Sequence, residues 1–80
     1  MNENESSNMS YGRINTKIIL RGLTFPAGTM IRIWETGRTT SIQPISTSNP
    51  QLWYSLPQLH RRHIRPLENH LCDMIDFGIL

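Results

Sequence analysis

The sequence predicts an all-β domain of five short strands closed into a compact barrel, with a disordered tail before it and a short helix after it. Three observations lead there. Apolar and polar residues alternate with period two in short runs between residues 14 and 67, the spacing of a half-buried strand. Clusters of Gly, Pro, Asn and Ser separate the runs, as turns do. Apolar residues make up only 38% of the 80 and charged residues 18%, which suits strands and turns better than salt-bridged helices.

Residues 1–12 are polar and show no apolar period, so they are expected to stay disordered; Met9 is an alternative start. From Ile14 the alternation begins. Ile14, Thr16, Ile18 and Leu20 share one face of a first strand, and Ile19 is the apolar exception on the other. Gly22 to Gly28, with Pro26 between, reads as a diverging loop. Residues 29–35 form the clearest strand, with Ile31 and Ile33 facing in and Met30, Arg32 and Trp34 facing out. Thr36-Gly37 turns tightly into a Thr- and Ile-rich strand over 38–45, whose Pro44 marks an edge or bulge. After a loop at 46–50, residues 51–56 make a fourth strand with Leu52, Tyr54 and Leu56 on one side and Trp53 on the other. Residues 57–63 are too short for a stable helix and are expected as one 3₁₀-like turn. Residues 64–67 supply a fifth, very short strand. Leu67, Leu71, Met74 and Ile75 then follow helical spacing, with Asn69 as cap and Gly78 as stop.

The segment Phe25-Pro26-Ala27-Gly28-Thr29 opens the second strand and Ile64-Arg65-Pro66-Leu67 closes the last. With the strand-hairpin-strand unit between them, this order resembles the small SH3-like barrels of many bacterial and plastid proteins. The resemblance covers residues 14–67. It implies an architecture and hardly a function, because such barrels host many unrelated roles. The chain lacks the acidic loop and paired tyrosines of the eukaryotic proline-peptide readers, so polyproline recognition does not come with it. The expected organisation is a tail at 1–12, an SH3-like barrel at 13–67, and a helix with its tail at 68–80.

Charge is unevenly placed. All eight Lys and Arg lie between Arg13 and Arg65, where Glu35 is the one acid, a net of +7; the remaining five acids flank that window, which leaves +2 for the chain. The pattern implies an acidic partner, or ends that partly neutralise the basic centre. No apolar run is long enough for a membrane span, and the N-terminus does not read as a signal peptide. The matches to the glycosylation pattern at Asn4 and Asn8 are therefore read as chance. Cys72 is the single cysteine, so no disulfide staples the domain and a cytoplasmic setting is expected.

Two groups of residues are candidates for binding. Trp34 and Trp53 face away from the expected core beside Arg32, an arrangement able to stack on a peptide or on bases, although a tryptophan packed beneath a loop is the more ordinary outcome. His60-Arg61-Arg62-His63 with Arg65 is the densest basic cluster, suited to carboxylates or phosphates, or simply a solvated turn. His60, His63, His70 and Cys72 are the right types for zinc, but Arg61 and Arg62 would repel a cation, so no metal site is assigned. Cys72 reads as a packing residue. Asp73 and Asp76 have no partner acid at a defined distance, and no phosphate loop is present. The expected function is a small non-catalytic protein-interaction module or accessory subunit without cofactor. It would dock a larger, acidic-surfaced protein through Arg32, Trp34, Trp53, Arg61, Arg62 and Arg65. The second reading is a nucleic-acid-binding module that uses the basic window.

Overall fold

The computed structural model describes residues 7–80. These form seven strands in the order β1 (Ser7–Ile14), β2 (Ile18–Leu20), β3 (Leu23–Phe25), β4 (Met30–Thr36), β5 (Thr39–Pro44), β6 (Tyr54–Ser55) and β7 (Ile64–Pro66). A 3₁₀ helix, Gln58–His63, precedes β7, and α1 (Asn69–Asp76) follows it. Five strands make one antiparallel sheet in the order β6-β5-β4-β1-β7, and β2 and β3 form a separate hairpin.

The domain is mostly β with a short C-terminal helix, as the alternation predicts. The closed barrel is not formed: β6 and β7 end the sheet on opposite sides. Alternation places side chains on two faces but does not say whether the last strand returns to the first.

The first strand also differs. It starts at Ser7, inside the stretch expected to be disordered, and ends at Ile14; residues 1–6 of that expected tail lie outside the described residues. The chain bends at Asn15-Thr16, where the Asn15 N–H donates to His63 O. Thr16 is therefore exposed, while Ile14 and Ile18 reach the core from two different strands.

The core lies between the inner face of the large sheet and the β2–β3 hairpin. Ile14, Ile31, Ile42 and Leu56 pack with Ile18, Leu20 and Phe25 of the hairpin. The β4–β5 turn is the two residues Gly37-Arg38, closed by the pair Thr36–Thr39, and Gly37 takes φ 52°, a left-handed value that glycine adopts without strain. No described helix is long and apolar enough to cross a membrane.

Register puts Met9, Tyr11 and Arg13 of β1 on the face opposite the core. Against that outer face sits α1. Arg13 pairs with Glu68 at 3.2 Å, and the Tyr11 hydroxyl donates to Asp76 Oδ1 at 2.6 Å. Leu67 and Ile75 are buried there, apart from the main core cluster. Asn69 is the first helical residue rather than the cap, which is Glu68. Gly78 ends the helix at φ 78°, with Gly78 N–H donating to Ile75 O and Ile79 N–H to Met74 O, the two bonds of a Schellman turn.

The Tyr11–Asp76 bond carries a pH signature. The hydrogen bond to Asp76, then burial, then the carboxylate's charge raise the Tyr11 phenol above its ordinary 10.0. A raised folded-state value means the associated stability is complete below pH 10 and disappears as pH climbs through the raised value. Phenolate absorbance should show Tyr11 titrating above pH 10 in the native chain. Asp76→Ala should bring that titration down toward 10; an unmoved curve would show that the bond does not hold in solution.

Candidate interaction face

The outer face of the sheet is organised in rows that cross the strands. Met9, Trp34 and Ser41 lie opposite one another on β1, β4 and β5, and Tyr11, Arg32 and Gln43 form the next row. Ser41 is small, so the space beside Trp34 is filled from outside the sheet. Trp53 packs there, its ring centroid 5.4 Å from that of Trp34 and the planes tilted by 60°. Met9 is 56% exposed and Trp34 38%. Both tryptophans lie outside the core cluster, as strand parity predicts.

Gln43 holds Trp53 in reach. It sits on the outer face yet is only 1% exposed, because the loop between β5 and β6 covers it. Its Nε2 donates to Pro50 O at 3.1 Å and to Leu52 O at 2.9 Å. Those two bonds fix the segment leading into Trp53, leave Leu52 exposed rather than in a strand, and shorten β6 to two residues. Gln43→Ala leaves two loop carbonyls without their donor and is expected to cost about 1–3 kcal/mol. The tryptophan near-ultraviolet circular dichroism should weaken as the two rings separate; an unchanged spectrum would show that Gln43 does not position Trp53.

The six residues expected to share one surface are divided. Arg32, Trp34 and Trp53 are together. Arg32, however, does not look out freely: it is half-buried, lies opposite Tyr11, and its Nη1 reaches Gln43 Oε1 at 3.5 Å. Arg61 turns to the inner face, where its Nη2 donates to Thr40 Oγ1. Its neighbour Arg62 is exposed. Arg65 lies opposite Arg13 on edge strand β7 and folds back, its Nη1 donating to Arg62 O at 2.9 Å. The 3₁₀ helix has about three residues per turn, so consecutive arginines leave it in different directions.

On the inner face Arg61 closes one side of a pocket of about 180 Å3. Ile33, Leu56 and Ile64 give it an apolar lining, while Ser10, Thr40 and Glu35 supply polar groups. The Arg61 Nε and the His60 Nδ1 are buried without a hydrogen-bond partner among the described residues. The His60 and His63 rings lie 6.0 Å apart, and Cys72 is half-buried with its thiol toward Leu67 O at 3.6 Å. Among the described residues no three His, Cys, Asp or Glu side chains are grouped to hold a metal ion.

Sequence reasoning missed Met9 and Gln43. Met9, Tyr11 and Arg13 do alternate with Ser10 and Gly12, a weak period-two signal in a polar stretch. Nothing local marks Gln43, whose partners are seven and nine residues away. No protein-family model, curated protein or solved structure matches the chain.

Proposed function

We propose that the chain is a small non-catalytic protein-interaction module that docks a larger, acidic-surfaced partner through the outer-face stripe of Met9, Trp34 and Trp53. The observation that carries this reading is the pair of tryptophan rings in mutual contact outside the core, with Trp34 and Met9 left open to solvent. Tryptophans at interface centres supply large buried area at low entropic cost, and a clustered exposed patch has more meaning than a lone ring. Arg32 beside the stripe and Arg38 in the adjoining β4–β5 turn give the rim a positive character. The fold is proposed as an open relative of the SH3-like domains. Supporting that are the order β7-β1-β4-β5-β6, a hairpin between the first two long strands, and a 3₁₀ helix before the last strand. A cytoplasmic setting is part of the proposal, supported by the single cysteine.

The test is a stoichiometric capture from the source cell with wild-type chain and with Trp34→Ala, after confirming equal melting temperatures. One protein retained by wild type and lost by the variant supports the stripe; equal recovery by both rejects it. Labelled single-stranded and duplex DNA and RNA, titrated at low and moderate salt, address the nucleic-acid alternative, which the basic window favours. Micromolar binding that falls steeply with salt would replace the protein-partner reading.

A further inference from the structure

The ends of the sheet are guarded, with one exception. β6 has two residues, and β7 has three, including Arg65 and Pro66. Shortness, charge and proline are devices that keep a sheet edge from recruiting another strand. β1 pairs with β4 from Ser7 to Arg13, but β7 covers its other side only from Gly12 to Ile14. Among the described residues no strand pairs with that side of residues 7–10, and the stretch Ser-Asn-Met-Ser has neither charge nor proline.

The hydrogen bonds fix which backbone groups face this edge. Ile14 N–H donates to Thr29 O and Ile14 O accepts from Gly28 N–H, both toward β4. Tyr11 O accepts from Leu67 N–H, and Asn15 N–H donates to His63 O, both toward β7. Alternation along the strand then turns the N–H and C=O of Met9 to the open side. Residues directly across a strand pair share a face. A strand laid along 7–10 would therefore place one side chain beside Ser10, at the inner-face pocket lined by Ile33, Leu56 and Ile64. At about 180 Å3 the pocket has room for one leucine-sized side chain. Arg61 and Glu35 both border it, and the central window around it carries a net +7. A second copy of this chain would bring a second Arg61 toward the first, whereas an acidic segment meets complementary charge.

We infer that the open edge of β1 receives an extended, acidic segment of the partner protein as a sixth strand of the sheet, with one apolar side chain seated in the pocket beside Ser10. This rests on the interaction-module reading above and adds the partner's conformation. The probe is a short-peptide display library panned against the full chain, with enriched peptides synthesised and titrated by fluorescence anisotropy. The expected binders carry one large apolar residue among acidic ones. Met9→Ala keeps the outward N–H and removes only the side chain, so it is the reference for their affinity. Met9→Pro should weaken it about tenfold or more, because proline removes the outward N–H while leaving the ladder to β4 intact. N-methylation of alternate peptide amides should do the same, and it decides the matter if Met9→Pro does not fold. Absence of any binder, or binders indifferent to N-methylation, overturns the inference. Binders lost with Trp34→Ala but not with Met9→Pro or N-methylation keep the stripe and reject the edge. Binders sensitive to N-methylation but indifferent to Trp34→Ala keep the edge and reject the stripe.

Discussion

Replacing Phe25 with alanine is expected to remove most of the domain's stability. Phe25 is 1% exposed, lies on β3, and meets Tyr54 edge-on with ring centroids 5.6 Å apart. Its hairpin is two strands of three residues, a unit that is marginal by itself in water. What holds it to the sheet is the apolar cluster, and Phe25 is the largest fully buried side chain there. Truncating a buried phenylalanine costs about 3–5 kcal/mol, with about 0.5–1.5 more for a well-placed aromatic pair. A chain this short has roughly 4–12 kcal/mol in total. Ile19→Ala is the control: it lies on the same hairpin but is 56% exposed, and such a position moves stability by about 0.5 kcal/mol or less. Urea unfolding should show the Phe25→Ala midpoint strongly lowered and Ile19→Ala near wild type. Comparable midpoints for the two would mean that the hairpin is not fastened through Phe25.

Ile19 shows what a single sequence makes legible and Phe25 what it hides, since residues 22–28 read as a loop while Leu23–Phe25 is a strand paired with Ile18–Leu20. Parity along a strand is local, so the outward turn of Ile19, the inward turn of Ile31 and the opposite facing of Trp34 follow from alternation alone. The Gly37 turn and the Gly78 stop are equally local, since each needs a left-handed backbone. β1 was hidden because its inward positions are small. Ser10 and Gly12 face the core side, but the bulk over them comes from Ile33 and Ile64 on neighbouring strands. A strand whose core is filled by others carries no apolar signal of its own. The basic cluster failed for a related reason. Adjacency in sequence suggested one patch, but the turn of the 3₁₀ helix sends Arg61 to Thr40 and leaves Arg62 in solvent. The role of Gln43 depends on which loop carbonyls come to rest over it, a fact of tertiary structure.

Gly12 is where that borrowed bulk becomes a measurable constraint. It lies between Ile31 of β4 and Pro66 of β7, and a Cβ built on it would meet Ile33 Cδ1 at 2.9 Å, the Arg65 carbonyl oxygen at 3.0 Å and Ile64 Cγ2 at 3.0 Å. Its φ is not positive, so the requirement for glycine is one of space and not of backbone conformation. The isoleucine methyls can give way, but the Arg65 carbonyl is backbone and moves only if β7 moves. Gly12→Ala should therefore destabilise the fold by about 1–3 kcal/mol through overpacking. A gain of about 0.4–1 kcal/mol from a less flexible unfolded chain offsets part of this. At about 4–8 °C per kcal/mol for a domain of this size, the drop is readable in a thermal melt. Ile33→Val removes the Cδ1 that the new methyl would strike, so Gly12→Ala should cost less in that background, with a coupling of about 0.5 kcal/mol or more. Additive effects would shift the blame to the Arg65 carbonyl. In that case β7 must retreat, and with it the Leu67 N–H to Tyr11 O bond that joins the sheet to α1, so Asp76 should lose its hold on the Tyr11 hydroxyl in the same variant. A Gly12→Ala chain that melts with wild type and keeps the raised Tyr11 titration would show that β1 and β7 are not in the close register on which the sheet's open edge depends.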